Sequence, residues 1–193
     1  LLIFSSFIGY IFAISIDKSE TKQQKKLYLI ISLIINLGLL GIFKYAGFFV
    51  SNINYLLHLN LPVPQISLPI GISFYTFQIV SYVIDVYCNR VDSQKSFAKF
   101  LMYVSLYPQL IAGPIVRYID IEREIDHREV SIVNISQGIN RFIVGLAKKV
   151  IIANTAATLV STFLDGKLAS MGVLDAWFGL FMYTIQIYFD FSG

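Results

Sequence analysis

The chain has 193 residues, of which 56% are hydrophobic and 14% charged, with a mean hydropathy of +0.68 and a net charge of +3. A soluble domain carries nearer one quarter charged residues, so this composition belongs to a membrane protein. The small net charge and the lack of a basic stripe interleaved with aromatics exclude a nucleic-acid partner. A single cysteine, Cys88, excludes an internal disulfide framework and a multi-cysteine metal site. No metal-ligand motif is present.

Apolar runs cover Leu1–Ile16, Leu27–Val50, Ile66–Tyr87, Phe97–Val116, Val150–Leu164 and Val173–Phe191. Several approach the roughly 20 residues needed to cross a bilayer. The first lacks a basic flank and a small-residue cleavage site, which makes it a truncated membrane helix rather than a signal peptide. We expect one all-α integral membrane domain over 1–193, a fragment of a longer chain cut at both ends.

The loops give an orientation. Lys18, Lys22, Lys25 and Lys26 mark the first loop as cytoplasmic. The next, Ser51–Gln65, holds no Lys or Arg and lies outside; the loop with Arg90 and Lys95 is inside again. The fourth run breaks this alternation, because Arg117, Arg123, Arg128, Arg141, Lys148 and Lys149 follow it. Pro108 and Gly113-Pro114 interrupt helical hydrogen bonding there, so LYPQLIAGP is expected to be a bent or re-entrant element. Such backbone survives in a membrane only when buried in protein or lining a wet cavity.

Arg117–Val130 is dense in charge, with Asp120, Glu122, Glu124, Asp126 and Glu129 among three arginines and His127. It is expected to be a solvated surface helix, with docking of a soluble donor protein as the functional alternative. Ile132–Val150 is amphipathic: Ile132, Ile135, Ile139, Phe142, Ile143, Leu146 and Val150 recur at helical spacing, with Arg141 and Lys148 opposite. A short helix of this kind lies flat in the interface, where Arg141, Lys148 and Lys149 meet anionic headgroups or the phosphates of a nucleotide-linked donor.

Polar residues inside apolar runs are the candidates for chemistry. Gln78 and Asp85 lie in the third run, Gln109 follows Pro108, and Gln186 and Asp190 share a helix face at i and i+4. Asp85, close to the run's end, is expected to snorkel to the interface, and Lys44 to do the same on the outer side. His58 and His127 fall in loops on opposite sides of the bilayer and cannot pair. No HExxH, GxSxG, P-loop or dinucleotide fingerprint is present. These patterns leave transporter, channel and membrane enzyme open.

FKYAGFF (43–49), LPIGISFYTFQIVSYVIDVY (68–87), YPQLIAGP (107–114), RFIVGLAKKVIIANTAA (141–157) and YTIQIYFDFSG (183–193) together resemble the membrane-bound O-acyltransferase family, in its bacterial alginate O-acetyltransferase-like branch. The resemblance implies a multi-helix core with re-entrant and interfacial helices around a tunnel. It implies acyl transfer from a cytoplasmic thioester donor, such as acetyl-CoA or an acyl carrier, to an extracytoplasmic polysaccharide hydroxyl or to an extracytoplasmic acetyltransferase partner. No bound cofactor is expected. The family's catalytic histidine lies downstream of the YFDFSG motif, so no catalytic residue is expected within these 193. Gln78, Gln109, Gln186, Tyr188 and Asp190 are the candidates for lining the tunnel or orienting that base. A secondary transporter of an acyl or sugar unit is the alternative from a different class.

Overall fold

The computed structural model describes residues 1–107, 114–127, 130–164 and 171–193. Among them all regular structure is helical. They separate into two compact units, Leu1–Arg128 and Glu129–Gly193.

In the first unit α1 (Leu2–Lys18) turns its small residues inward: Ser5, Ser6, Gly9 and Ala13 are buried. Without side-chain bulk on that face the helices approach closely, as is common between membrane helices. A Cβ on Gly9 would sit 2.3 Å from Cγ2 of Ile79, so only glycine fits that contact. α2 (Lys22–Leu57) is capped by the Thr21 hydroxyl, which accepts from the Gln24 N–H at 3.3 Å. Its buried stripe is Ser32, Asn36 and Leu40, at spacings of four. The helix runs well beyond the predicted apolar run, to Leu57, where His58 turns into the left-handed region and its N–H bonds the Asn54 carbonyl. At 36 residues it is long and apolar enough to cross a membrane.

α3 (Ile72–Tyr87) is the centre of this unit. Ile72, Tyr75, Ile79, Tyr82, Val83 and Val86 are all buried, and so are Thr76, Gln78 and Asp85. It starts six residues later than the apolar run because Pro69 and the positive φ of Gly71 (72°) delay helix formation. α4 (Phe97–Ser105) stops three residues before Pro108. The tip of the expected re-entrant element, 108–113, lies outside the described residues. α5 (Tyr118–Asp126) is the charged helix expected after it; the Asp120 carboxylate accepts from the Arg117 N–H at 3.3 Å and satisfies one open donor of its first turn. Tyr82, Phe100, Tyr103 and Tyr118 join α3, α4 and α5 through ring centroids 4.6–6.1 Å apart.

Two contacts bring together the loops expected on the same side. Lys95 Nζ pairs with the Asp17 carboxylate at 2.7 Å, and Lys25 Nζ reaches Asn89 at 3.4 Å. Both loops assigned to the inside therefore meet at one end of the unit.

In the second unit the amphipathic stretch differs from expectation. α6 (Ile132–Ala147), a π-helical turn (Lys148–Ala153) and α7 (Asn154–Leu164) form one helix without a break. At 33 residues it is long and apolar enough to span a membrane. The expectation of a flat interfacial helix rests on a short amphipathic segment, 132–150, whereas the π-turn takes up one extra residue and carries the helix on to Leu164. α8 (Val173–Ser192) packs along this helix at small residues. A Cβ on Gly145 would lie 2.4 Å from the Gly193 carbonyl oxygen, and one on Gly179 would lie 2.8 Å from Leu164. Phe163 and Phe178 stack edge to face at 5.0 Å.

Candidate functional site

Asp85 anchors the polar end of the first unit. Its side chain is only 2% exposed, at the last turn of α3. The expected snorkelling acid is thus replaced by a buried one. Arg117 grips it with a two-pronged fork: Nε to Oδ2 at 3.2 Å and an Nη to Oδ1 at 2.5 Å. Such planar pairing is the strongest hydrogen-bonded form of a carboxylate. Arg90 adds a single bond to Oδ1 at 3.2 Å. The bonds to Asp85 raise the Arg117 guanidinium above its ordinary pKa. The Arg90 turn is made possible by Asn89 in the left-handed region (φ 52°). Residues 85 and 117 are far apart in sequence and on either side of a proline-broken segment, so spacing gave no sign of the pair. An isolated carboxylate in an apolar helix was the available signal.

A second cluster adjoins it. Asp17 accepts from Lys95 Nζ and from Ser93 Oγ, both at 2.7 Å, and the lysine bond is the main reason its pKa lies below the ordinary carboxylate value. Gln94 donates its N–H to the Tyr82 hydroxyl at 2.8 Å and its side-chain amide to Tyr118 at 2.9 Å. The Tyr103 hydroxyl donates to the Val116 carbonyl at 2.9 Å. The chain just before α5 is therefore tied at Val116 to α4 and at Arg117 to α3.

Deeper in α3, Gln78 is 1% exposed and neither atom of its amide has a hydrogen-bond partner; the Tyr75 hydroxyl is also buried and unpaired. Buried polar atoms are nearly always satisfied, so these mark an unusual point in the helix. Lys44, expected at the outer interface, is exposed and reaches Ser73 Oγ, at the start of α3, at 3.4 Å. An apolar groove of about 550 Å³ between α4 and α5 is lined by Met102, Tyr103, Leu106, Ile121, Glu124 and Ile125.

In the second unit the structure joins residues that the sequence assigned to different roles. Lys149, expected to face headgroups, pairs with Asp190 on α8. Lys148 donates to the Ser192 carbonyl at 3.2 Å, capping the end of α8, where a cation suits the helix dipole. Both lysines leave from the π-turn, a feature frequent at functional positions. Arg141 is exposed on α6. Gln186 lies half-buried one turn before Asp190, and Tyr188 is exposed. Gln109 lies outside the described residues. Among the described residues no group of His, Cys, Asp and Glu could hold a metal ion.

Comparison with known proteins gives a consistent set of relatives. The chain is 40% identical over 170 residues to the probable alginate O-acetylase AlgI of Pseudomonas aeruginosa, covering 86% of the chain and 32% of that protein. It is 35% identical to the protein of the same name from Azotobacter vinelandii, over 99% of the chain and 38% of the relative. It is 33% identical to the peptidoglycan O-acetyltransferase of Helicobacter pylori, over 100% of the chain and 42% of the relative. The chain thus spans well under half the length of these relatives. No family model matches the chain, and no solved structure matches it.

Proposed function

We propose, for a chain that belongs to the membrane-bound O-acyltransferase family in its alginate O-acetylase-like branch, that the protein carrying it is an O-acetyltransferase of an extracytoplasmic polysaccharide. The observation that carries this reading is the likeness, along nearly the whole chain, to proteins named for O-acetylation of alginate or peptidoglycan. The same names disfavour a secondary transporter.

In this reading the protein sits in the cytoplasmic membrane through several spans. A cytoplasmic thioester, acetyl-CoA or an acyl carrier, gives up its acetyl group, and a polysaccharide hydroxyl or an extracytoplasmic partner protein receives it. A general base takes the hydroxyl proton as its oxygen attacks the thioester carbonyl, and positioned donors hold the resulting oxyanion. That base is a histidine outside these 193 residues, because His58 and His127 end helices α2 and α5 in loops. In the first unit Gln78 and Gln109, and in the second Gln186, Tyr188 and Asp190, are the residues proposed to contact substrate or to orient that base. The unpaired amide of Gln78 and the half-buried Gln186–Asp190 face support that role.

The test is ester-linked acetyl on the extracellular polysaccharide of a strain lacking its own transferase. The complete protein restores acetylation, and alanine at Gln78, Gln186 or Asp190 lowers it at equal expression. Polysaccharide that stays unacetylated while the protein is folded and abundant would refute the assignment.

A further inference from the structure

We infer that Arg90 and Arg117 form a binding site for a phosphate-type oxyanion at the cytoplasmic end of the first unit. The two guanidiniums converge on one oxygen of Asp85, at 3.2 and 2.5 Å. The two-pronged fork of Arg117 already satisfies both oxygens of that carboxylate. Arg90 is not needed to keep Asp85 paired, yet the chain turns through a left-handed Asn89 to bring it there. Its side chain is 55% exposed and that of Arg117 is 42% exposed, so both guanidiniums are open to solvent while bonded to Asp85.

Lys25 bonds the Asn89 side chain, next in sequence to Arg90, and adds a third cation to this end of the unit. The carboxylates against them are Asp85 and Asp120, the latter accepting from the Arg117 N–H. Two guanidiniums are thus held close together by a single buried carboxylate. An incoming oxyanion with two or three non-bridging oxygens would turn that repulsion into attraction, and the planar guanidinium fork matches two phosphate oxygens at once, as a point-charge ammonium does not. Lipid headgroups and soluble phosphoryl compounds both present this chemistry on the cytoplasmic side. The inference does not depend on acetyl transfer, and its test measures binding alone.

The experiment uses the intact membrane protein carrying this sequence, in nanodiscs of phosphatidylcholine with and without phosphatidylglycerol, and with adenosine 3′,5′-bisphosphate as the soluble probe. Binding is read as a saturable shift in the thermal midpoint and by native mass spectrometry. One probe is expected to bind, and Arg90→Gln to weaken it at least tenfold while the protein melts as the parent does without probe. Retained lipid in the phosphatidylglycerol arm assigns a headgroup site; saturation by the bisphosphate assigns a soluble ligand. Arg117→Lys, which keeps charge but loses the fork, serves as the second variant and is also expected to weaken binding. Binding of neither probe to the folded parent, or equal binding by parent and Arg90→Gln, overturns the inference.

Discussion

Between Leu1 and Arg128 the contact of α3 with α4 and α5 is made by aromatic rings and buried polar groups, whereas between Glu129 and Gly193 α8 meets the long helix mainly at glycine and alanine. The first unit places Tyr82, Phe100, Tyr103 and Tyr118 in a continuous stack and surrounds it with Asp85–Arg117, Gln94 and Asp17–Lys95. The second has Ala153, Ala156 and Gly179 as its buried residues. Large rings gain from area removed from water or lipid and from edge-to-face geometry, so their contact tolerates little truncation. Small residues gain from close backbone approach, so their contact tolerates little enlargement. These two contacts should therefore fail under opposite substitutions.

The largest effect is expected in the stack. Phe100 is fully buried between Tyr82 and Tyr103, and Phe100→Ala should destabilise the first unit by about 3–5 kcal/mol. Denaturant unfolding in detergent, followed by tyrosine fluorescence, checks it; a loss below half of that range would mean the ring is not the keystone of the contact.

Gln78→Leu sharpens the comparison from the other direction. Removing an amide with no partner should stabilise the unit by about 1–2 kcal/mol, since the cost of desolvating it disappears. A higher midpoint together with reduced acetyl transfer would identify Gln78 as a residue kept for function at the expense of stability. A lower midpoint would show that the amide finds a partner in the intact protein.

In the second unit, enlargement should do the damage. Gly145→Ala pushes a methyl group against the Gly193 carbonyl and should separate α6 from α8 at that point, costing about 1–3 kcal/mol. Cysteine cross-linking between the two helices would lose efficiency. Breaking the Lys149–Asp190 pair should cost less, below about 1 kcal/mol for a pair this exposed, and the charge-exchanged double variant should recover most of it.

The smallest effect is electrostatic and belongs to Asp17. Lys95 and Ser93 hold its folded pKa below the ordinary value of 3.8, so the contribution is fully present above that value and is lost as pH falls through the lower folded pKa. Stability of the parent and of Lys95→Ala should therefore differ at neutral pH and converge in strong acid. A gap that persists there would assign the effect of Lys95 to packing.

Local pattern carried much of the fold. The helical runs, the break at Pro108 and the charged helix after Arg117 follow from apolar periodicity and from residues that cannot continue a helix, while the late start of α3 at Ile72 is not read from its run. The site was less legible. Asp85 looked interfacial because it stands near the end of its run, and its depth comes from α4 and α5 folding over that end. Lys149 reads as a headgroup cation because it stands with Arg141 and Lys148 on a short amphipathic segment, and its partner Asp190 lies 41 residues away on another helix.

Taken by itself, the sequence determined a membrane composition, the helices and their order, the family, and which polar residues stand in apolar surroundings, because each of these is written in neighbours a few positions apart. Only the tertiary structure decided that Asp85 belongs to Arg117 and Arg90, that Lys149 belongs to Asp190, and that Gln78 has no partner. The reason is that charge and hydrogen-bond partners are chosen by distance in space, and helix packing brings together residues that no local period relates.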